Sequence, residues 1–179
     1  NNLLKFYCRK ETYNASKDGK LEGAGLLWHQ DKGIVYSGEF SKGLFSGKGT
    51  HNILITGYRD ELYKGTFLRG QLETGTHYNM KNDNDPEVYS GNMHFGAPNG
   101  FGKKIYNDTD ENIHSIESSC GEMFMGHKNG YCQVKYTHTN GTPVVYQGNF
   151  EDNKRRGGGF EFIVESGKIF RSGIFLQYS

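Results

Sequence analysis

The fold of this chain can be read from one stretch, Tyr36-Ser-Gly38-Glu-Phe40-Ser-Lys-Gly43-Leu-Phe-Ser-Gly47-Lys-Gly49. The same spacing of an aromatic residue and glycines returns in Tyr89-Ser-Gly91-Asn-Met93-His-Phe-Gly96-Ala-Pro-Asn-Gly100-Phe-Gly102, and again in Tyr146-Gln-Gly148-Asn-Phe150 continued to Gly157-Gly-Gly159. With the weaker copies included, copies start near residues 12, 36, 63, 89, 119, 146 and 171. A repeat with a period of roughly 20–50 residues indicates a stacked array of small units.

Each copy is predicted to be a two-stranded hairpin. The first, third and fifth residues share one face of an extended strand, because side chains alternate along it. In the best copy these residues are Tyr36, Gly38 and Phe40. The segment from Gly43 to Gly47 has the length and glycine content of a hairpin loop. We interpret the pattern as complementary packing, in which the rings of one hairpin lie over the glycines of the adjacent hairpin.

The predicted fold class is therefore all-β: an elongated single-layer antiparallel sheet of tandem hairpins over residues 12–179, with residues 1–11 as an N-terminal capping segment. Composition agrees, because 26 of the 179 residues are glycine and the hydrophobic fraction is 34%. No stretch shows sustained helical periodicity or the roughly 18 apolar residues that a membrane-spanning helix needs. Isolated hairpins are marginal in water, so each copy should depend on its neighbours.

The pattern resembles the MORN repeat (membrane occupation and recognition nexus), whose consensus is about Tyr-x-Gly-x-Phe/Trp-x-x-Gly-x-x-x-Gly-x-Gly. The copies at Tyr36 and Tyr89 match closely, and those at Tyr63, Ser119 and Tyr146 depart at individual positions. MORN arrays occur in cytoskeletal and ciliary scaffolds, junctional membrane proteins, lipid kinases and a histone methyltransferase. The resemblance implies an elongated, twisted antiparallel sheet that mediates assembly, and it implies no chemistry.

On this resemblance the chain is expected to be a non-catalytic scaffold in the cytoplasm, a subunit of a large cytoskeletal or ciliary complex. One alternative is a membrane-proximal module that binds acidic phospholipid through Lys154, Arg155 and Arg156, a basic cluster at a predicted hairpin tip. Another is the regulatory segment of a larger enzyme. Because the chain starts without Met and stops within a copy, it is expected to be part of something longer.

Candidate sites for protein partners follow from the pattern. The aromatic–glycine face of an open sheet could form a groove for an apolar helix, lined by Tyr36, Phe40, Tyr63, Phe67, Tyr89, Tyr146 and Phe150. The alternative is that neighbouring repeats bury these rings, and the opposite face is predicted to be polar. Leu44 and Phe45, at a predicted loop tip, could dock a partner or fold back on the adjacent hairpin. Exposed terminal strands predict end-to-end self-association.

Charge and motif content argue against several other classes. The 21 basic and 20 acidic residues give a net charge of +1, which favours no nucleic-acid partner. Three cysteines are too few for a disulfide framework and favour a reducing compartment. The histidines and acidic loops lack the spacing of a zinc or calcium site. No glycine-rich or nucleophile motif leads into a helix, so no enzyme activity, cofactor or metal is expected.

Overall fold

The structure is a computed structural model that describes residues 4–8, 19–29, 33–54, 60–80, 87–110, 113–138 and 140–175. This part of the chain consists of strands and turns and contains no helix, which confirms the predicted all-β fold class. Among the described residues there is accordingly no helix of the length and apolarity that a membrane crossing requires. The predicted start of the first copy near residue 12 lies outside the described residues.

The chain divides into two compact units, residues 1–84 with 93–96 and residues 85–92 with 97–179. The strands of the first unit are β1 (Leu4–Cys8), β2 (Gly23–His29), β3 (Gly33–Ser41), β4 (Leu44–Leu54), β5 (Asp60–Leu68) and β6 (Gln71–Met80). The remaining strands are β7 (Glu87–His94), β8 (Ala97–Asp110), β9 (Ile113–Phe124), β10 (His127–His138), β11 (Pro143–Glu151), β12 (Lys154–Ile163) and β13 (Ile169–Phe175). Within each unit the strand order follows the chain order, and the pairs from β1 to β6 and from β8 to β13 are antiparallel.

Two-residue turns join the strands of each copy. Between β3 and β4, Lys42 and Gly43 have φ values of 51° and 82°. Both central residues also have positive φ at Arg69-Gly70, Phe95-Gly96, Met125-Gly126 and Asp152-Asn153. This is the backbone of a type I′ turn, whose twist matches that of the flanking strands. The predicted loop from Gly43 to Gly47 is therefore wrong, because the turn ends at Gly43 and β4 begins at Leu44.

The third glycine of the motif forms a bulge. After the pair Gly38–Gly49, β4 carries two extra residues relative to β3. One of them, Gly47, has a φ of 56°. The equivalent Gly130 and Gly157 also have positive φ and lie where the register of β10 and β12 shifts. A bulge residue in left-handed backbone favours glycine, which explains the spacing that had suggested a loop.

The remaining motif glycines pair across successive strands and form what we call the glycine row. In the first unit the row is Gly25, Gly38, Gly49, Gly65 and Gly75. In the second unit it includes Gly102, Gly121, Cys132, Gly148, Gly159 and Gly173. We call the sheet face that carries the motif rings the inner face and the opposite face the outer face. The row leaves space on the inner face for those rings.

The ring of Tyr36 fills that space over its own copy. A Cβ atom built on Gly38 or on Gly49 would lie closer than 3.0 Å to the Tyr36 hydroxyl, a separation that real Cβ atoms do not show. The other two strong copies repeat the arrangement, with Tyr89 over Gly91 and Gly102, and Tyr146 over Gly148 and Gly159. The interpretation that rings cover the glycines of the adjacent hairpin is therefore wrong, since each ring covers the glycines of its own hairpin.

Candidate interaction surfaces

The predicted groove on the inner face is filled by its own side chains. Six of its seven rings are 0–6% exposed, namely Tyr36, Phe40, Phe67, Tyr89, Tyr146 and Phe150. The seventh, Tyr63, is half-buried and stacks on His77 with ring centroids 4.2 Å apart. Of the two alternatives for these rings, the structure shows burial. Along these residues the inner face is a core rather than an open groove.

Leu44 and Phe45 begin a strand instead of occupying a loop tip. The Phe45 ring is parallel to that of Tyr36, with centroids 3.8 Å apart. It also meets Phe67 of the next copy edge-on, with centroids 6.1 Å apart. Leu44 points the other way and is 49% exposed. Phe45 therefore packs within the repeat, as the alternative of folding back required, and Leu44 alone of this pair is accessible.

The place of Phe45, which we call the covering position, is filled differently in each copy. Its equivalents are Leu72, Pro98, Lys128 and Arg155. The backbone here is held by the turn of the following copy: the Gly70 N–H donates to the Phe45 carbonyl at 2.9 Å, and the Asn153 N–H donates to the Lys128 carbonyl at 3.0 Å. The main chain thus fixes the covering position while its side chain changes from apolar to cationic.

The basic cluster at residues 154–156 starts β12, and the hairpin tip before it is Asp152-Asn153. Arg155 occupies the covering position, with its guanidinium carbon 4.2 Å from the centroid of Tyr146. Arg156 Nε lies 3.2 Å from a carboxylate oxygen of Glu151. The predicted location of the cluster at the hairpin tip is therefore wrong, because the turn consists of Asp152 and Asn153 and all three basic residues lie in β12. Two of their three charges are also paired with carboxylates of the chain.

A buried carboxylate, Glu161, balances the charge of Arg155. It is 0% exposed and accepts hydrogen bonds from the Tyr136 hydroxyl, from Arg155 and, at 2.9 Å, from Arg171 Nε. Burial disfavours ionisation, but the hydrogen bonds of Tyr136 and Arg171 and the charge of Arg155 hold the pKa of Glu161 below its usual value. We call these four residues the Glu161 cluster; its ionised carboxylate links β10, β12 and β13.

Sequence reasoning missed the Glu161 cluster. The available signal was Arg171, which stands where the copies at Tyr36, Tyr63, Tyr89 and Tyr146 have a leading aromatic residue. Arg171 lies directly across the strands from Glu161. In the first unit the place of Glu161 is taken by His51, which pairs with Tyr36 as Glu161 pairs with Tyr146. Burial lowers the pKa of His51, so the neutral imidazole is favoured there.

The copy at Ser119 reaches the same packing by a different route. It has Ser119 in place of the leading aromatic residue and Cys132 in the glycine row, and both are buried. The Cys132 thiol donates to the Glu122 carbonyl at 3.2 Å. In the copy at Tyr36 the tyrosine hydroxyl donates to the equivalent carbonyl, that of Glu39, at 3.0 Å. The thiol therefore takes over the hydrogen bond, and part of the volume, of the missing ring.

The outer face differs between the two units. Side chains next to the glycine row point away from the inner face, because successive residues of a strand alternate. In the first unit those on β3 to β6 are polar: Ser37, Glu39, Lys48, Thr50, Lys64, Thr66, Thr74 and Thr76. In the second unit four such residues are large, apolar and 50–77% exposed, namely Phe101, Tyr131, Phe160 and Ile174. The predicted polar outer face holds at Ser37, Glu39 and Ser41 and at Gln147, Asn149 and Glu151, but not at Leu68 of the first unit or at these four apolar residues of the second.

Depressions in the described surface are shallow. One in the first unit has a volume of about 180 Å³ and is lined by residues that include His51, Tyr63, Leu72 and Phe95. In the part of the chain that the structure describes, no group of three or more His, Cys, Asp or Glu residues is placed to hold a metal ion.

Comparison with protein-family models finds no match to this chain, and comparison with curated proteins finds no significant relative.

Proposed function

We propose that this chain is a non-catalytic scaffold, a MORN-like module that holds protein partners together in a larger cytoskeletal or ciliary assembly. One observation carries the proposal: four large apolar side chains beside the glycine row are at least 50% exposed on the outer face of the second unit, while six of the seven motif rings are buried. These exposed residues are Phe101, Tyr131, Phe160 and Ile174. Large apolar side chains left on one face of a folded protein are typical of an interaction surface.

The way the repeat is built supports this use. Turns, bulges and the glycine row are held by contacts within the sheet and its inner face, as in the stacking of Phe45 on Tyr36. The exposed outer-face rings of Phe101 and Phe160 are not among these contacts, so they are available to a partner. The acidic-lipid alternative has weaker support, because Arg155 and Arg156 already have carboxylate partners.

Cross-linking mass spectrometry on the natively purified full-length protein tests the scaffold proposal. We expect cross-links to partner proteins at lysines near the outer face, such as Lys103 and Lys135. The double variant Phe101→Ser/Phe160→Ser should lose those partners and keep the wild-type melting temperature, since both rings are exposed. Leu44→Ser, which removes an exposed apolar residue of the first unit, is the matched control and should keep them. Partners retained by the double variant would contradict the proposal.

A further inference from the structure

We propose that a depression on the outer face of the second unit binds the arginine side chain of a protein partner. The inference rests on the scaffold function proposed above and names the chemistry of the partner. The depression has a volume of about 530 Å³ and is lined by Gly100, Phe101, Glu122, Met123, Phe124 and Asn129. It combines one carboxylate with two exposed aromatic rings.

The register of β8 and β9 brings these groups together. Glu122 lies directly across the strands from Phe101. Phe124 is two residues further along β9, so it projects from the same face as Glu122. The two rings are 65% and 60% exposed. The Glu122 carboxylate is held over Gly130, the bulge glycine of β10, where a Cβ atom would collide with it.

Glu122 has a negative charge that the described residues do not neutralise. No lysine, arginine or histidine among them forms an ion pair with its carboxylate. The side chain is nevertheless half-buried beside apolar rings, where a charge interacts more strongly than in water. A cation that also presents a flat apolar face would satisfy both the carboxylate and the rings.

The same molecule shows which side chain suits such a site. In the Glu161 cluster, the Arg155 guanidinium pairs with the carboxylate and lies 4.2 Å from the ring centroid of Tyr146 and 5.3 Å from that of Tyr136. The depression at Glu122 offers the carboxylate and the rings but lacks the guanidinium. Arginine fits better than lysine, because its planar group stacks on aromatic faces and can donate two parallel hydrogen bonds to a carboxylate.

A natural control lies in the first unit. Glu39 occupies the motif position of Glu122, and its carboxylate likewise lies over a bulge glycine, Gly47. Its cross-strand neighbour is Ala24, where Glu122 has Phe101. Glu39 therefore has the same backbone setting without the rings, and the proposal assigns it no arginine site.

Nuclear magnetic resonance titration of the isotope-labelled full chain with N-acetyl-arginine methylamide tests the inference. We expect saturable shifts at the backbone amides of Phe101, Glu122 and Phe124, with a Kd on the order of 1–10 mM for this single side chain. Glu122→Gln should weaken binding about tenfold, the equivalent of one charge-assisted pair, whereas Glu39→Gln should leave it unchanged. N-acetyl-lysine methylamide should bind several-fold more weakly than the arginine probe.

Three results would overturn the inference: no saturable shift at these amides, equal affinity in Glu122→Gln and wild type, or equal affinity for the two probes. Phe101→Leu gives a second line of evidence, since it keeps an apolar strand residue and removes the ring, and it should also weaken binding. Because the probe is a small molecule, a failure here leaves the cross-linking result intact. If the wild-type protein formed no cross-links to partner proteins while the arginine site functioned, that result would instead contradict the scaffold.

Discussion

The copies that begin at Tyr36 and Tyr146 have the same glycine pairing and the same turn, but they cover the ring in opposite ways. Phe45 stacks on Tyr36 in an entirely apolar contact, with centroids 3.8 Å apart. Arg155 lies over Tyr146 and brings a charge that the buried Glu161 balances. The backbone of these two copies is therefore set by their glycines and turn, while the side chain above the ring can be either apolar or a cation whose charge is paired.

The largest expected effect on stability comes from disrupting the packing of the tyrosine ring against its paired glycines, which both copies share. Gly38→Ala would place a Cβ atom closer than 3.0 Å to the backbone of β4 and to the Tyr36 hydroxyl. We expect the free energy of unfolding to fall by about 3 kcal/mol, because backbone cannot move aside as a side chain can. Gly148→Ala should cause a similar loss, because its Cβ atom would lie closer than 3.0 Å to the Tyr146 hydroxyl, and the Tyr146 ring is fully buried. Urea denaturation at neutral pH measures both.

Gly158→Ala is the control for these two variants. A Cβ atom built on Gly158 has nothing within 4 Å, and its φ lies in an ordinary region. The free energy of unfolding should stay within about 0.5 kcal/mol of wild type. If all three alanine variants lost equal stability, the packing of ring against glycine would not be the reason for the motif.

The next largest effect on stability is expected at Phe45, the covering position of the copy at Tyr36. Phe45→Ser removes a ring that contacts Tyr36 and Phe67, and we expect a loss of about 2 kcal/mol in the free energy of unfolding. The neighbouring Leu44→Ser removes an exposed side chain and should change stability by less than about 0.5 kcal/mol. Thermal and urea denaturation of both variants test this; equal effects would mean that Phe45 does not cover Tyr36.

The copy at Ser119 extends the comparison, because it has no leading tyrosine ring to cover. Cys132→Gly should leave a void, and Ser119→Tyr should bring a ring against the thiol, so each should lower the free energy of unfolding by about 1–2 kcal/mol. The double variant restores the tyrosine–glycine arrangement of the other copies and should regain at least about 1 kcal/mol of the summed loss. A double-mutant cycle by urea denaturation measures the coupling free energy between the two positions. If the losses of the two single variants simply added in the double variant, the Cys132 thiol would not stand in for the missing ring.

The smallest expected effects are on the pH dependence of stability, and they differ between His51 of the first unit and Glu161 of the second. Burial favours neutral His51, so its contribution to stability is complete above its ordinary pKa of 6.5 and is lost as the pH falls below that value. Glu161 has a lowered pKa, so its contribution is complete above the ordinary carboxyl pKa of 4.5 and is lost as the pH falls through its folded value.

These two pKa shifts predict that urea denaturation between pH 3 and 8 will show two separate pH ranges in which stability falls. His51→Gln should flatten the stability profile just below pH 6.5, and Glu161→Gln should flatten it below pH 4.5. Each variant serves as the control for the other. A single window, or one removed by both variants, would show that the two positions do not act separately.

Much of the fold could be predicted from the sequence, because the repeated spacing fixes both the strand period and the pairing of copies. The place of the turn could not, since Gly43 and Gly47 look alike in sequence and differ in role: one belongs to a turn and the other to a bulge. The Glu161 cluster could not be predicted from the sequence either. Its hydrogen bond from Tyr136 joins residues 25 positions apart, so it depends on the exact register of three strands.

The interaction surfaces were harder to predict for the same reason. Sequence alone favoured Tyr36 and its equivalents as a groove, because nothing in the pattern tells whether a neighbouring side chain will close over a ring. The exposed rings, such as Phe101 and Phe160, each lie next to a motif glycine, at positions that the repeated spacing does not specify. Their significance appears when alternation places them on the outer face.

The hydrogen bonds that tie each turn to the copy before it have a consequence for cooperativity. The N–H groups of Gly70, Gly126 and Asn153 each donate to a carbonyl of the preceding hairpin, so a turn is best held when its predecessor is already in place. Contacts of this kind join chain neighbours, which keeps loop closure short and assembly fast. Opening should accordingly spread stepwise from one hairpin to the next, with graded amide exchange instead of a single all-or-none event.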